Sequence, residues 1–258
     1  MSSKRKSKKD ETIDFLEQQL TNNVVAIKET GKKKHLSIHD LKTIKPLTEP
    51  QRQMIESYFM GNNIVAEGSA GVGKSYIALW LALNSILDTN CPQDKIIILR
   101  SAVASRSVGF LPGTIEEKME PFENPYNDIV GDLTGKPSCY EEMKKTGRIV
   151  FMPTSYLRGM TWDNAVIILD EIQSMNLHEL NSVITRCGKH SRIIAIGDNL
   201  QNDLIYNKYD QSGLPIFMNI VKRMPEFDVI NFTKHDIVRS KLVKSWICAY
   251  EDEINGVR

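Results

Sequence analysis

Five short apolar runs, rich in β-branched residues, constrain the fold of this 258-residue chain more than any other feature. They cover residues 63–67, 95–99, 148–152, 165–169 and 192–196, and their apolar residues are consecutive rather than alternating. Strands have this pattern when helices cover both faces of a parallel sheet. Helical patterns near 74–88, 114–130, 176–187 and 236–252, with a weaker strand near 228–231, complete the order. The sequence therefore predicts an α/β fold with a mostly parallel sheet flanked by helices.

The length of the chain allows one large α/β domain and a short appendage, but not two such domains. Apolar residues make up 41% and charged residues 25%, which is the balance of a globular protein with an adequate core. The regular alternation of strand and helix patterns begins near residue 47. We therefore predict a basic tail and small appendage over residues 1–46 and a single core over 47–258.

Positive charge is concentrated in the first nine residues, at Lys4, Arg5, Lys6, Lys8 and Lys9. The formal net charge of the chain is only +1, so overall charge gives no argument for a nucleic-acid partner. The basic run contains no apolar residue and is predicted to be a solvated tail. Its role stays open between solubility and contact with nucleic-acid phosphates.

The four cysteines are widely spaced, at positions 91, 139, 187 and 248, and form no CxxC pair. Neither a zinc site nor a disulfide framework is indicated, which fits a reducing cytoplasm. No apolar stretch approaches the roughly 20 residues that span a bilayer, and no apolar segment follows the charged start. We expect a cytoplasmic protein that is neither secreted nor membrane-spanning.

Residues 68–75 read GSAGVGKS and match the pattern GxxxxGK[ST] between the first strand run and the first helical run. Glycines let successive backbone N–H groups turn toward phosphate oxygens, and the following helix adds its positive N-terminal end. We call this segment the phosphate loop. A ligand-free turn is the alternative interpretation. The predicted nucleotide contacts are Gly68, Ser69, Ala70, Gly71, Val72, Gly73, Lys74 and Ser75, with Lys74 on the β- and γ-phosphates and the Ser75 hydroxyl on Mg²⁺.

Two carboxylates, Asp170 and Glu171, follow the fourth buried run. Ligands of α/β sheets bind at the carboxyl ends of the strands, so the phosphates and these acids are expected at the same edge. Asp170 is predicted to hold Mg²⁺, and Glu171 to orient or deprotonate a water aimed at the γ-phosphate. An ordinary charged strand end is the alternative. A water-activating glutamate favours hydrolysis over transfer of phosphate to a bound acceptor.

Three further side chains are candidates on weaker grounds. Gln201, in the sequence IGDNLQ after the fifth run, is predicted to contact the γ-phosphate or the attacking water. The Gln51 amide, in TEPQ, matches the donor and acceptor edges of adenine, although a solvated glutamine near a helix start fits nearly as well. Arg239, in DIVR, is placed at the start of the last helix, where the residues alone favour a simple ion pair.

Seven segments together resemble the PhoH family over about residues 47–252. They are TEPQ at 48–51, the phosphate loop, GFLPG at 109–113 with Glu117 and Lys118, RGMT at 158–161, DEIQ at 170–173, GDNLQNDL at 197–204 and DIVR at 236–239. GFLPG and RGMT are the most specific, because generic phosphate-loop proteins lack them. Two departures stand out: Ser75 where Thr is common, which keeps the hydroxyl, and Ser240 where relatives often carry His.

The resemblance implies a RecA-like ATPase core related to superfamily 1 helicases, which uses ATP and Mg²⁺ and associates with RNA or single-stranded DNA. It implies a homo-oligomeric ring, with a hexamer expected. It places Gln51 near the base, Gln201 as a sensor, and Arg239 as an arginine finger reaching the neighbouring subunit's site. A single core with a short basic tail also resembles bacteriophage versions, which implies the cytoplasm of an infected bacterium.

Two functions follow from these features. The first is an ATP-driven translocase or helicase, although a motor that strides along a strand needs two such cores, in one chain or in adjacent subunits. The second is a regulatory or remodelling ATPase without helicase activity. A small-molecule kinase is disfavoured because Glu171 and Gln201 suit attack by water. Stimulation of hydrolysis by single-stranded nucleic acid separates the first function from the second.

Overall fold

The computed structural model describes residues 36–101, 115–157, 159–198 and 212–254. Its strands are β1 (Asn63–Gly68), β2 (Lys95–Arg100), β3 (Ile149–Pro153), β4 (Ala165–Asp170), β5 (Arg192–Gly197) and β6 (Phe227–Phe232). Its helices are α1 (Glu49–Phe59), α2 (Lys74–Leu87), α3 (Ile115–Thr134), α4 (Cys139–Lys145), α5 (Leu177–Ile184), α6 (Leu214–Val221) and α7 (Lys241–Ile254). No helix in these ranges is long and apolar enough to cross a membrane.

The six strands form one sheet in the order β3-β2-β4-β5-β1-β6, and every neighbouring pair is parallel. The prediction of an α/β fold with a parallel sheet is therefore confirmed. The register aligns the carboxyl ends of the strands: Arg100 lies beside Asp170, and Asp170 beside Ile196. Across the sheet, Gly68 at the carboxyl end of β1 lies beside Phe232 at the carboxyl end of β6. Residues that follow these strands consequently meet at one edge.

Both faces of the sheet are buried, which explains the consecutive apolar residues in the strands. On one face, Ile96 and Ile98 pack with α2, whose buried residues surround much of the helix. On the opposite face, Ile97 and Leu99 pack with α5 and α6. Each strand therefore sends alternate side chains into two separate cores, and the phosphate loop lies between β1 and the most buried helix.

The last helix differs from the sequence prediction. Residues Lys234–Asp236 form a separate 3-10 turn, in which Thr233 and Asp236 cap each other's backbone and side chain. Ile237 then takes an extended conformation, and α7 begins only at Lys241. Arg239 therefore precedes α7 instead of lying in its first turn, because the capped turn at Thr233 interrupts the helical pattern.

Two helices were not predicted. The short α4 has no long apolar pattern, and α6 has the sequence LPIFMNIV, which lacks a polar stripe. Helix α3 was predicted to end near residue 130, but it continues to Thr134 and contains Pro121 and Pro125. Local sequence patterns favour none of these outcomes, because each depends on packing against the rest of the domain.

The segment before α1 packs on the domain. Leu36, Ile38, Leu41 and Ile44 contact the core on the α2 side of the sheet. The Lys42 ammonium pairs with the Asp132 carboxylate at 3.1 Å. The Lys42 carbonyl also accepts a hydrogen bond of 2.8 Å from the Trp80 indole. Residues 36–46 thus contact the predicted core, while the rest of the predicted appendage lies outside the described residues and stays a prediction.

Candidate nucleotide-binding site

A cleft of about 580 Å³ lies at the carboxyl edge of the sheet. It brings together most of the residues that the sequence predicted for nucleotide binding, although they come from distant parts of the chain. The predicted residues that line it are Gln51, Ala70, Gly71, Gly73, Lys74, Ser75, Asp170, Glu171 and Arg239. Gly68, Ser69 and Val72 belong to the loop but do not line the cleft. The edge predicted from strand order is therefore the edge that carries the cleft.

The phosphate loop needs glycine at two positions for different reasons. A Cβ atom on Gly68 would lie 1.8 Å from the carbonyl oxygen of Phe232, so any side chain would push β1 and β6 apart. Gly71 has a φ of +75°, and a Cβ atom there would lie 3.0 Å from Cγ of Arg239. The first glycine permits close strand packing, and the second permits both the turn of the loop and the approach of Arg239.

Lys74 is the first residue of α2, and its ammonium folds back over the loop. Its Nζ atom donates hydrogen bonds to the carbonyl oxygens of Gly68, at 2.6 Å, and Ser69, at 2.7 Å. Burial lowers the pKa of Lys74, while the charges of Asp198, Glu171 and Asp170 oppose this shift. An entering phosphate would offer the ammonium an anionic partner in place of two neutral carbonyls.

Asp170 is buried at the end of β4, and two hydrogen bonds fix its carboxylate. Its Oδ1 atom accepts from the backbone N–H of Glu171 at 3.0 Å, and its Oδ2 atom accepts from the hydroxyl of Tyr126. Burial, and after it the charge of Glu171, raises the pKa of Asp170 to about 6, although Tyr126 and Arg100 act in the opposite direction. At this carboxylate, burial and the charge of Glu171 thus outweigh the positive charge of Arg100.

Glu171 has an unusual backbone conformation, with a φ of +55° that is uncommon for a residue with a side chain. Its Oε2 atom accepts a hydrogen bond from the Gln173 amide. Its Oε1 atom lies 3.7 Å from the Arg100 guanidinium, at the end of the neighbouring strand. The left-handed turn directs the chain away from β4, and the two partners hold the carboxylate at the cleft. Strained residues of this kind are concentrated at functional sites.

Gln173 connects the acid pair to the next strand. Its side-chain oxygen accepts a hydrogen bond of 3.0 Å from the backbone N–H of Asp198, just beyond β5. A Cβ atom on Gly197 would lie 2.9 Å from the same oxygen, so the glycine leaves room for this contact. The ends of β2, β4 and β5 are therefore linked through Arg100, Glu171, Gln173 and Asp198.

Arg239 lies at the cleft of its own chain. The backbone N–H of the preceding residue, Val238, donates to the carbonyl oxygen of Gly71 at 3.1 Å. Ile237, two residues before Arg239, is buried in the core on the α2 side. The segment between the 3-10 turn and α7 thus packs on the outer side of the phosphate loop. This contact favours action at the same chain's site, and the predicted action on a neighbouring subunit stays a prediction.

Gln51 supports the loop in this structure. It is buried in the first turn of α1, its Nε2 atom donates to the carbonyl oxygen of Val72 at 2.9 Å, and its Oε1 atom accepts from the backbone N–H of Leu47 at 2.8 Å. The amide therefore connects the loop to the segment that precedes α1. Contact with adenine stays a prediction, and it would add to these two bonds or replace them.

Part of the cleft lining is apolar. Ile44, Leu47, Tyr76, Ile129 and Val238 line the cleft, as does Lys45. The Tyr76 hydroxyl donates to Asp132 at 2.7 Å, which fixes the ring. Apolar walls with few polar groups suit the face of a nucleobase.

The donor set fits Mg²⁺. Mg²⁺ in nucleotide sites binds one or two carboxylates and substrate phosphates and keeps several waters, and Ser75 and Asp170 offer a hydroxyl and a carboxylate in one cleft. The raised pKa of Asp170 also indicates a place where a divalent cation would relieve repulsion between Asp170 and Glu171. No cluster of three or more His, Cys, Asp or Glu side chains suited to a metal occurs among the described residues, so an all-protein metal cage is not what they provide.

Residues 43–251 match a family model described as PhoH-like protein. The chain belongs to the PhoH family. A PhoH-like protein of Synechocystis sp. is 34% identical over 213 residues, which are 82% of this chain and 63% of that protein. Protein PhoH of Escherichia coli strain K12 is 32% identical over 213 residues, which are 82% of this chain and 59% of that protein. The family resemblance predicted from the motifs is thus confirmed.

The chain spans about three-fifths of the length of these PhoH relatives. Among solved structures, it resembles the crystal structure of the DUF1998 helicase MrfA bound to DNA with a TM-score of 0.44 and 12% identity, over 71% of this chain and 25% of that one. That likeness is too distant to bear on function. Family membership, with the phosphate loop between β1 and α2, supports assignment of the core to the P-loop NTPase fold.

Several residues of the PhoH motifs lie outside the described residues: Gln201, Arg158 and the GFLPG segment at 109–113. Arg100 and Tyr126, which contact the two acids of the cleft, are among the lining residues that the sequence did not predict. Arg100 lies at the carboxyl end of a buried strand. The expectation that ligands bind at the carboxyl ends of the strands, which identified Asp170, therefore applied to Arg100 as well. Tyr126 gave no such signal, because a tyrosine on a helix usually faces a core.

Proposed function

We propose that this chain hydrolyses ATP with Mg²⁺ as cofactor. The observation that supports this most is the convergence of Lys74, Ser75, Asp170, Glu171 and Arg239 on one cleft. They belong to α2, to the end of β4 and to the segment before α7, and only the fold brings them together. Two cations and two acids around a glycine loop are the groups that phosphate binding and hydrolysis require.

Each side chain has a distinct role in this proposal. Lys74 leaves the carbonyls of Gly68 and Ser69 and binds the β- and γ-phosphates. Ser75 and Asp170 would hold Mg²⁺, which would supply positive charge against the phosphates. Glu171 orients a water toward the γ-phosphate and accepts its proton. Arg239 stabilises the charge that spreads over the transferring phosphoryl group.

The glutamate in particular favours hydrolysis over simple nucleotide binding. Its left-handed backbone and its contacts with Gln173 and Arg100 keep a second carboxylate beside the one assigned to Mg²⁺. The repulsion between the two acids makes this arrangement costly, and nucleotide binding alone does not require it. Activation of a water does require such a base.

The test is phosphate release from ATP by purified wild-type protein and two variants. Lys74→Ala is expected to lose nucleotide binding and turnover together. Glu171→Gln is expected to bind a fluorescent ATP analogue like the wild type and to hydrolyse ATP more than about 100-fold more slowly. Lys95→Ala, which removes a lysine from the opposite end of β2, is the control. Turnover by Glu171→Gln at the wild-type rate would show that Glu171 is not the base.

We further propose that hydrolysis is coupled to RNA or single-stranded DNA, through translocation or unwinding by a ring. The motif order of the PhoH family and the basic run at residues 4–9 support this. Phosphate release is measured with and without single-stranded RNA, single-stranded DNA and duplexes, and the particle mass is measured with and without nucleotide. Stimulation by single strands and a hexameric mass are expected. Hydrolysis that no nucleic acid stimulates would favour a regulatory or remodelling ATPase.

A further inference from the structure

Helix α3 carries two side chains that reach the two acids of the cleft by different routes. Tyr126 contacts Asp170 directly, through its hydroxyl. Phe122, one turn earlier, lies under the guanidinium of Arg100 at 5.3 Å from ring centre to Cζ, and Arg100 in turn reaches Glu171. We propose that α3 positions both carboxylates, Asp170 through Tyr126 and Glu171 through Arg100 supported by Phe122. This inference rests on the proposed hydrolysis of ATP.

The contact between Tyr126 and Asp170 is well defined. Tyr126 is 2% exposed, and its ring lies 5.5 Å from that of Phe151, so the phenol has little freedom to move. Its hydroxyl would be a buried polar group without a partner if Asp170 were removed, since Asp170 is the acceptor that the structure shows for it. The pairing thus stabilises one orientation of the carboxylate.

That orientation leaves the carboxylate able to bind a cation. Each oxygen of Asp170 accepts one hydrogen bond, from Glu171 N–H or from Tyr126, and each keeps a second lone pair. Partners of this kind around a metal ligand orient it and typically change metal affinity by about 10- to 100-fold when they are lost. Tyr126 is therefore a positioning residue for the site of Mg²⁺.

The route to Glu171 is longer. Arg100 is half-buried at the end of β2, next to Asp170 in the sheet register, and the Phe122 ring covers one face of its guanidinium. An arginine held over an aromatic ring loses much of its rotational freedom. The guanidinium therefore stays near Glu171 Oε1 without forming a close ion pair, which leaves that oxygen available for a water.

The first experiment measures metal binding without any turnover. Mn²⁺, a paramagnetic substitute for Mg²⁺, is titrated into protein saturated with a non-hydrolysable ATP analogue, and free Mn²⁺ is read by electron paramagnetic resonance. Tyr126→Phe is expected to weaken Mn²⁺ binding about 10- to 100-fold. Binding of the analogue in EDTA is expected to be unchanged. The matched control is Tyr140→Phe. This variant removes a buried hydroxyl that donates a hydrogen bond of 2.8 Å to Glu123, and neither residue lines the cleft.

The second experiment concerns the other acid. Phe122→Leu is expected to lower kcat for ATP at least threefold with little change in KM or in Mn²⁺ affinity, because only the orientation of Arg100 and Glu171 changes. A raised KM with unchanged kcat would show that Arg100 binds the nucleotide instead of holding Glu171. Thermal unfolding of every variant identifies loss of fold.

The outcomes separate this inference from the proposed function. Wild-type Mn²⁺ affinity in folded Tyr126→Phe would overturn the role of Tyr126 even if the wild-type protein hydrolyses ATP. Absence of hydrolysis in the wild type would overturn the proposed function, while the Mn²⁺ titration would still decide whether Tyr126 positions Asp170.

Discussion

The side chain of Arg239 lies against Gly71, and its Cγ atom is 3.0 Å from the position that a Cβ atom on Gly71 would occupy. Both residues line the same cleft in one chain. A cation that stabilises charge on a transferring phosphoryl group can come from the same chain or from a neighbour. The contact with Gly71 supports the first arrangement.

In place of the action on a neighbouring subunit that the family resemblance implies, we therefore predict that Arg239 acts on the ATP bound to its own chain. Arg239→Ala should lower kcat about 10³-fold, whereas Arg223→Ala, which removes an exposed arginine near the end of α6, should not. Mixing Arg239→Ala with Glu171→Gln at equal concentration should give no more phosphate release than the two variants give separately. Co-purification of differently tagged variants establishes that they share assemblies. Activity that returns in such mixed assemblies would instead support an arginine finger between subunits.

Gly71→Ala should lower both the free energy of unfolding and the affinity for nucleotide. The φ of +75° makes an alanine there unfavourable by about 1–2 kcal/mol, and the new methyl group also meets Arg239. Gly135→Ala is the matched control, because its φ is +65° but nothing lies within 4 Å of the added Cβ atom. Urea unfolding should show a similar strain cost in both variants, with an additional loss in Gly71→Ala. Wild-type nucleotide affinity in Gly71→Ala would contradict the assigned loop geometry.

Binding of Mg²⁺ should weaken as the pH falls below about 6. Asp170 has its pKa raised to about 6 and is neutral below that value, so the cation must then displace a proton. The Mg²⁺ concentration for half-maximal binding of a fluorescent ATP analogue should rise about tenfold per pH unit in this range. Phosphate groups titrate nearby as well, so Asp170→Asn serves as the reference. A wild-type profile that parallels that of Asp170→Asn would assign the effect to the nucleotide.

Nucleic-acid binding should weaken steeply with salt and tolerate any sequence. The log–log slope should be about −0.7 per neutralised phosphate on single strands. Deletion of residues 1–9 should flatten that slope, as should replacement of the five basic residues there by serine, which keeps the chain length. An unchanged slope would assign the basic run to solubility.

Much of this architecture is predictable from sequence because it depends on local patterns. Consecutive β-branched residues predict strands that are buried on both faces. The phosphate loop and Asp170 could be assigned to the site because both lie at the carboxyl ends of such strands. The start of α7 was misplaced because the capping pair of Thr233 and Asp236 competes with a helical pattern that continues across it. Tyr126 was missed because its contact with Asp170 joins residues 44 positions apart, on a helix and at a strand end that no periodicity connects.

The strand order also bears on how the chain acquires its site during synthesis. Strand β1 and the phosphate loop leave the ribosome early, but β1 lies between β5 and β6, and β6 comes near the end of the chain. The contacts of Gly68 with Phe232 and of Gly71 with Val238 therefore cannot form until almost the whole domain has been translated. A nascent chain with its glycine loop already exposed should bind nucleotide poorly. The ability to bind nucleotide should appear late, in one step, when β6 and the segment after it pack on β1 and the phosphate loop.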